Sequence, residues 1–362
     1  MNWRRLGALP LIPLLVLATA TSAAAQGVWV TAPTMPTART LLGTAAATCP
    51  QGLRGTCVYA VDGGDPAFNK LEAYSPASGV WVTLKPPKVR RSHVAATTAP
   101  CPGGVAGDCV YALGGFGPGG APALNDVEAY STETGTWLTV KALPTKRGQA
   151  AAATAPCPDR AGLKGSCVYV FGGGAGATLP TVEAFSPATG TWATLAPLQS
   201  ARAGHGGAAA PCPGEGHRRT CVYAISGNVN GNPASVEAYD PARDQWQYVA
   251  DIPTPRAAFG TATAPCPEGI GDGCVHTVGG TSVATAFMGT YEAYIPVSDV
   301  WVTLPALPAP RLGLGSAAAH CPKNRHSTCV YAVGGSTGPT TGITEAFAIE
   351  HPPARPEEAP RG

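Results

Sequence analysis

An arginine recurs along the chain at Arg39, Arg91, Arg147, Arg202, Arg256 and Arg311, at intervals of 52, 56, 55, 54 and 55 residues. A period of that length marks a repeat architecture, in which each unit buries its apolar face against its neighbours. The rest of the sequence falls into the same register. After each arginine comes a run of small residues, at 44–47, 94–97, 150–153, 206–210, 260–264 and 315–319. A cysteine pair and an apolar run ending in glycine follow, as in Cys109-Val-Tyr-Ala-Leu-Gly-Gly. Next is a Glu-Ala-aromatic segment at Glu72, Glu128, Glu183, Glu237, Glu292 and Glu345. A tryptophan segment ends the unit at Trp81, Trp137, Trp192, Trp246 and Trp301.

Each unit reads as four short strands, A to D, separated by Gly/Pro turns. The alanine-rich strand A has helical propensity, but its shortness, its boundaries and its fixed place in the repeat argue for a strand. Four-stranded units arranged in a ring crowd their first strands at the axis, where small side chains fit. The sixth unit lacks a tryptophan strand, and Val28-Trp-Val-Thr31 near the N-terminus matches Val80-Trp-Val-Thr83. Trp29 is therefore expected in strand D of the last blade, which closes the ring and removes an open edge. The predicted fold class is all-β: a six-bladed propeller of four antiparallel strands per blade.

The order arginine, small strand, Val-Tyr-Ala-x-Gly-Gly, Glu-Ala-Tyr, tryptophan resembles the Kelch repeat over about residues 27–350. Kelch proteins are β-propellers, so the resemblance implies the same fold. Departures are Ser226 at the first glycine of a pair, His276 at the repeated tyrosine, Asp62 ahead of the first glycine pair, and a longer, cysteine-bearing A–B segment.

The cysteines pair by position as Cys49/Cys57, Cys101/Cys109, Cys157/Cys167, Cys212/Cys221, Cys266/Cys274 and Cys321/Cys329. Each pair brackets one A–B hairpin, the first cysteine ending strand A and the second starting strand B. Cross-strand neighbours at a hairpin reach bonding distance, so we read them as structural disulfides. Metal binding needs about four close Cys/His ligands, and these pairs sit on separate blades.

Residues 1–25 read as a secretory signal peptide: Arg4 and Arg5, an apolar run, then small residues before Gln26. Residues 351–362 read as a disordered Pro-rich tail. The expected location is extracellular or periplasmic. Removal of the two leading arginines leaves 22 basic against 22 acidic residues, which gives no electrostatic footprint for nucleic acid. No apolar stretch is long enough for membrane insertion. A monomer without cofactor or metal, binding an unidentified extracellular protein or glycan, is the expectation.

A four-stranded meander puts the A–B and C–D loops on one face and the B–C and D–A loops on the other. The arginines precede strand A, so they fall on the second face near the axis. In Kelch proteins that mouth is a common ligand site, often lined by arginines at this position. Two readings of Arg39, Arg91, Arg147, Arg202, Arg256 and Arg311 stand side by side. They form a ring of guanidinium groups for a carboxylate or sulfate, or they pair with the one strand-C glutamate that each blade carries. His93 and His205 join them as ligand-binding candidates. The B–C loops vary most and are poor in charge, with Phe116, Phe287 and Met288 as candidate platforms. A non-catalytic binding module is the leading functional reading. The alternative is a carbohydrate-active enzyme resembling sialic acid mutarotase, whose acid/base chemistry needs a glutamate and an arginine at the mouth.

Overall fold

The computed structural model describes residues 27–349, apart from 65–67, 121, 160–161, 215–218, 228–232, 268–272 and 323. The signal-peptide and tail segments, Asp65, His217, Arg218 and the loop 228–232 lie outside the described residues. Six four-stranded antiparallel sheets account for the rest, each a meander in chain order except the last. In that sheet the strand Trp29–Ala32 lies beside Thr344–Ile349, with Trp29 opposite Phe347 and Ala32 opposite Thr344. The chain thus forms a six-bladed propeller closed by its own N-terminal strand.

The crowding expected of strand A is measurable. A Cβ added to Gly43 would sit 2.7 Å from the Cβ of Ala96 in the next blade, and one on Gly260 would sit 2.6 Å from that of Ser316. Blades approach at the axis to a distance that admits only Gly, Ala, Ser and Thr, which is why an alanine run is held as a strand.

The core lies between blades. One apolar cluster joins Tyr169, Phe171 and Ala184 of the third blade to Val222, Tyr239 and Trp246 of the fourth, and the other blade junctions repeat the pattern. Each tryptophan also hydrogen-bonds across the junction. Its Nε1 donates to a carbonyl of the preceding blade's connection: Trp81 to Pro33, Trp137 to Lys85, Trp192 to Lys141, Trp246 to Ala196, Trp301 to Ala250, and Trp29 to Pro305. The repeated tyrosine braces its own A–B hairpin. The hydroxyls of Tyr59, Tyr111, Tyr169, Tyr223 and Tyr331 donate to the carbonyl just before the first cysteine. His276 replaces that tyrosine without losing the contact, since its Nε2 lies 3.1 Å from the carbonyl of Pro265 and its Nδ1 meets the hydroxyl of Tyr291.

The cysteines are bridged in the expected combinations: Cys49 to Cys57, Cys101 to Cys109, Cys157 to Cys167, Cys212 to Cys221, Cys266 to Cys274 and Cys321 to Cys329, with Cα–Cα distances of 4.8–4.9 Å. The described chain has no free cysteine. Their placement corrects the expectation of directly facing partners. Cys57, Cys109, Cys167, Cys221, Cys274 and Cys329 stand opposite Ala47, Ala99, Ala155, Ala210, Ala264 and Ala319. Each first cysteine lies two residues further along, so every bridge is diagonal to the ladder. In five blades strand A ends before that cysteine, and only in the sixth does it include Cys321. The chain curls back there, as Cys49 N–H does in donating to Gly55 O, and this brings the diagonal sulfurs into reach. Strand B likewise begins at the second cysteine only in the fifth blade, at Cys274; in the first four it starts one residue earlier. Cys57, Cys109, Cys167, Cys221, Cys274 and Cys329 are between 0% and 2% exposed. They are sealed into the blade junctions, so the bridges are framework and offer no sulfur to a ligand.

The departure at Asp62 is a substitution in register. Asp62 has φ 52°, as Ser226 has 51° and Gly114 58°, so all three fill the same left-handed turn after strand B. Aspartate and serine here accept a backbone cost that glycine avoids.

Two stability outcomes follow from closure and cross-linking. Trp29→Ala should lower the unfolding free energy by about 3–5 kcal/mol in urea titrations, since a buried indole and an inter-blade hydrogen bond are lost together. Reduction of the bridges should lower it by about 2–3 kcal/mol per hairpin, and alkylation of the folded, unreduced protein should label no cysteine in mass spectra.

Candidate functional site

The six repeated arginines have no exposed side-chain surface. Arg147 displays the common arrangement. Its Nη1 donates to the carbonyls of Gly172 and Thr181, at 2.9 and 2.8 Å, and its Nη2 to Glu183 Oε2 at 2.9 Å. Those two carbonyls stand at either end of the B–C loop, so one guanidinium cinches the loop's base. Arg202 holds Ser226 and Ser235 and pairs with Glu237 at 2.5 Å. Arg256 holds Gly279 and Thr290 and pairs with Glu292. Arg311 uses Gly334, Ala332 and Glu345, while Arg39 uses Ala60 and Glu72. The glutamates in turn hold the D–A connections. Glu237 accepts from the backbone N–H groups of Gln199 and Ser200, Glu128 from those of Lys88 and Val89, and Glu72, Glu183 and Glu292 from the hydroxyls of Thr37, Thr145 and Thr254.

Of the two readings of the arginines, the pairing with glutamate is the one the structure contains. A guanidinium with its donors committed to carbonyls and a carboxylate has none to offer at the mouth. Burial depresses Arg147, Arg256 and Arg311 against the pull of their glutamates, and lowers Arg39 to about 10. Arg39 alone keeps Nε and Nη1 without a partner among the described residues.

Arg91 carries a second acid. Its Nε donates to Asp62 Oδ2 at 2.9 Å, across the junction between the first two blades, while Nη2 reaches Glu128 at 2.5 Å. Desolvation raises the Asp62 carboxyl from 3.8 to about 7 despite the attraction of Arg91.

A feature that the sequence does not announce closes the mouth. Two residues beyond each arginine, Leu41, His93, Gln149, Gly204, Ala258 and Gly313 all have positive φ, between 50° and 63°. Their backbones bond in a closed circle. His93 N–H donates to Leu41 O at 2.8 Å, Gln149 to His93 at 3.1 Å, Gly204 to Gln149 at 2.8 Å, Ala258 to Gly204 at 2.9 Å, Gly313 to Ala258 at 2.7 Å and Leu41 to Gly313 at 2.7 Å. Directly inside the circle begins a central channel of about 400 Å³, whose first layer is Leu42, Val94, Ala150, His205, Phe259 and Leu314. From there the channel runs along the strand-A alanines and threonines towards the disulfide face.

The two histidines are not brought together. His93 belongs to the circle, with Nδ1 3.0 Å from Ser92 Oγ and its ring edge-on to Phe116. His205 lies one layer inside, against Phe171, with both ring nitrogens unpartnered among the described residues. Burial, and then the charges of Arg202 and Arg147, keep it neutral. Phe116 packs over Gly148, where a Cβ would lie 2.4 Å from its ring. Met288 is buried and Phe287 half-buried, so none of the three offers an open platform. Apart from Lys70, what the B–C loops expose is uncharged: Pro118 to Gly120, Ala175, Ala284 and Val283, the last 82% exposed. No group of three potential metal ligands occurs among the described residues.

Comparison with known proteins agrees with the repeat. The family model described as the Kelch motif matches residues 97–144 and 161–199. Kelch-like protein 34 of Homo sapiens is 29% identical over 200 residues, covering 53% of this chain and 27% of that protein. Kelch-like protein 35 of Mus musculus is 27% identical over 243 residues, covering 66% of this chain and 35% of that protein. The chain thus spans about a third or less of the length of these curated relatives. A solved structure titled "Structure of YjhT" superposes with a TM-score of 0.63 at 15% identity, over 88% of this chain and 96% of that one, which is a likeness of fold.

Two measurements probe the buried ions. Arg256→Met should cost about 3–5 kcal/mol, because it leaves Glu292 charged, buried and unpaired. The double change Arg256→Met with Glu292→Leu should lose less than the two singles summed. For Asp62, the native state holds a proton that the unfolded chain has released, at pH values from near 3.8 up to about 7. Unfolding free energy should therefore fall as pH rises through that window, and Asp62→Asn should remove this component of the slope in urea titrations. The chain thus carries Kelch motifs at residues 97–144 and 161–199 and is similar in sequence to Kelch-like proteins.

Proposed function

We propose that this chain is a secreted, non-catalytic interaction module whose partner is a protein docking on the face built by the D–A and B–C loops. The closed backbone circle is the observation that carries the reading. It ties the six D–A connections into one continuous rim around the central channel, and protein partners engage broad surfaces of this kind. The arginine clamps support it further in the second to fifth blades, where both ends of the B–C loop are tied and lose little freedom on binding. The B–C loop tips differ from blade to blade and expose mostly uncharged residues, while the D–A connections expose Lys88, Arg90 and Lys146, so recognition would combine shape and apolar contact with a basic rim. The disulfides fit an oxidising compartment, and the N-terminal sequence supplies the export signal; the mature chain should begin at Gln26 on N-terminal sequencing.

An enzyme resembling sialic acid mutarotase would need an accessible glutamate and arginine. The paired glutamate and arginine side chains are between 0% and 6% exposed, so no observation favours that alternative.

The reading is tested by screening the mature protein against extracellular proteins and titrating any binder with variants. Val283→Glu and Leu41→Arg should each weaken binding about tenfold or more, whereas Val30→Glu, on the outer strand of the last blade, should leave it unchanged. Wild-type affinity in both face variants would overturn the assignment of this face.

A further inference from the structure

The last blade departs from its siblings on the opposite, disulfide-bearing face. In the first four blades the A–B loop folds back so that the first cysteine's N–H donates to a nearby carbonyl: Cys49 to Gly55, Cys101 to Gly107, Cys157 to Gly165 and Cys212 to Arg219. In the sixth, strand B starts early, at Asn324, and runs 10 residues to Val333. It pairs with strand A as far as Cys321, past an irregularity between His320 and Cys321. The extended hairpin stands beside the first blade's A–B loop, at the junction where the ring closes. Between them is a cavity of about 370 Å³ lined by Arg54, Thr56, Pro76, His320, Asn324 and Arg325.

The cavity's charge is one-sided. No carboxylate lines it. Elsewhere arginines are engaged: the repeated six with their glutamates, Arg219 and Arg243 with Asp240, and Arg90 over the ring of Phe68. Among the described residues Arg54, Arg90 and Arg325 show no hydrogen bond or ion pair, Arg90 lying over Phe68, and Arg54 and Arg325 border this cavity. Arg54 and Arg325 are both exposed, and two guanidinium groups bordering one hollow with no carboxylate in its lining, beside an imidazole and an amide, make a recognition pattern for an oxyanion.

We propose that the junction of the sixth and first blades binds a sulfate or phosphate ester carried on a small polar molecule of sugar size. The volume is near the lower end of ligand pockets, about 300 Å³ upward, so it holds more than a bare ion. Arg54 and Arg325 grip the ester oxygens from the two blades. Thr56, Asn324 and His320 supply neutral donors and acceptors for the hydroxyls of the carrier, and Pro76 gives an apolar wall. The two arginines belong to the blades that meet where the ring closes, so the ligand bridges the seam. This site is on the face opposite the proposed protein-binding platform and stands or falls separately from it.

Isothermal titration of the full mature protein with glucose 6-sulfate, glucose 6-phosphate and unmodified glucose tests the proposal. At least one ester should bind and glucose should not; preference for one ester identifies whether a sulfated or a phosphorylated molecule is the source. Arg54→Gln and Arg325→Gln should each weaken the ester about tenfold, the double variant should abolish binding, and rising ionic strength should weaken it. Lys85→Gln, which removes an exposed charge at the other face, should have no effect. Esters that bind no better than glucose, or single variants with wild-type affinity, would overturn the proposal, and neither arginine substitution touches the buried framework.

Discussion

The structure depends on a buried arginine that is asked to satisfy three things at once. Its guanidinium ties both ends of the B–C loop through their carbonyls and meets the strand-C glutamate, and the glutamate's remaining lone pairs hold the D–A connection. Taking the two charges out of water is costly, and their attraction repays it only if every donor and acceptor is used. The pair recurs in each blade, and in the second to fifth blades the full set does: two segments that lack regular secondary structure of their own, the B–C loop and the D–A connection, are pinned to one strand. Where the condition fails, at Arg39 and Asp62, the perturbed charges appear. The first blade has an arginine with two idle donors, and an aspartate in the glycine slot whose burial drives it to about 7.

Two circles of hydrogen bonds then turn six clamped units into one object. The outer one joins tryptophan indoles to the preceding blade, and the inner one joins backbones two residues beyond each arginine. Both are closed only because Trp29 and Leu41 complete them from the N-terminal end. Removing the first strand would therefore leave an open sheet edge and also break an outer link. Apolar clusters that span adjacent blades make the same point through packing: a single blade has no core of its own, as expected of repeat proteins.

The outer circle was half legible in the sequence and the inner one was not. Tryptophan at a fixed place in every repeat, with Trp29 displaced to the other end of the chain, reveals how the ring closes. The matching counts of arginine and glutamate raise the ion pair as one of two readings, and burial decides between them. For the cysteines, proximity along the chain gives the partners but not the register. Cys57 faces Ala47 and Cys167 faces Ala155, because the loop curls back past the end of strand A. The inner circle leaves no such trace. Its members are Leu41, His93, Gln149, Gly204, Ala258 and Gly313, six positions with five residue types, because the bonds use backbone atoms and ask of each residue only that it tolerate a left-handed φ. His93 and His205 illustrate the consequence. One residue out of register in sequence places them on different layers, one in the circle and one in the channel wall.

The two faces differ in what symmetry permits. On the arginine face every blade contributes the same ion pair and the same backbone link, so variation is concentrated in the loop tips and in the exposed bases of the D–A connections. On the disulfide face the hairpins are braced covalently, which frees their sequences from having to hold themselves together. The sixth hairpin uses that freedom by lengthening its strand, and in doing so it brings Arg325 across the closing junction towards Arg54, some 270 residues away in the chain. A sequence scan sees two isolated arginines there; only closure of the ring makes them neighbours. The same closure that a propeller needs for stability thus creates the one junction formed by the two ends of the chain. Such a junction can diverge on both of its sides without disturbing the five blade contacts that lie between consecutive repeats.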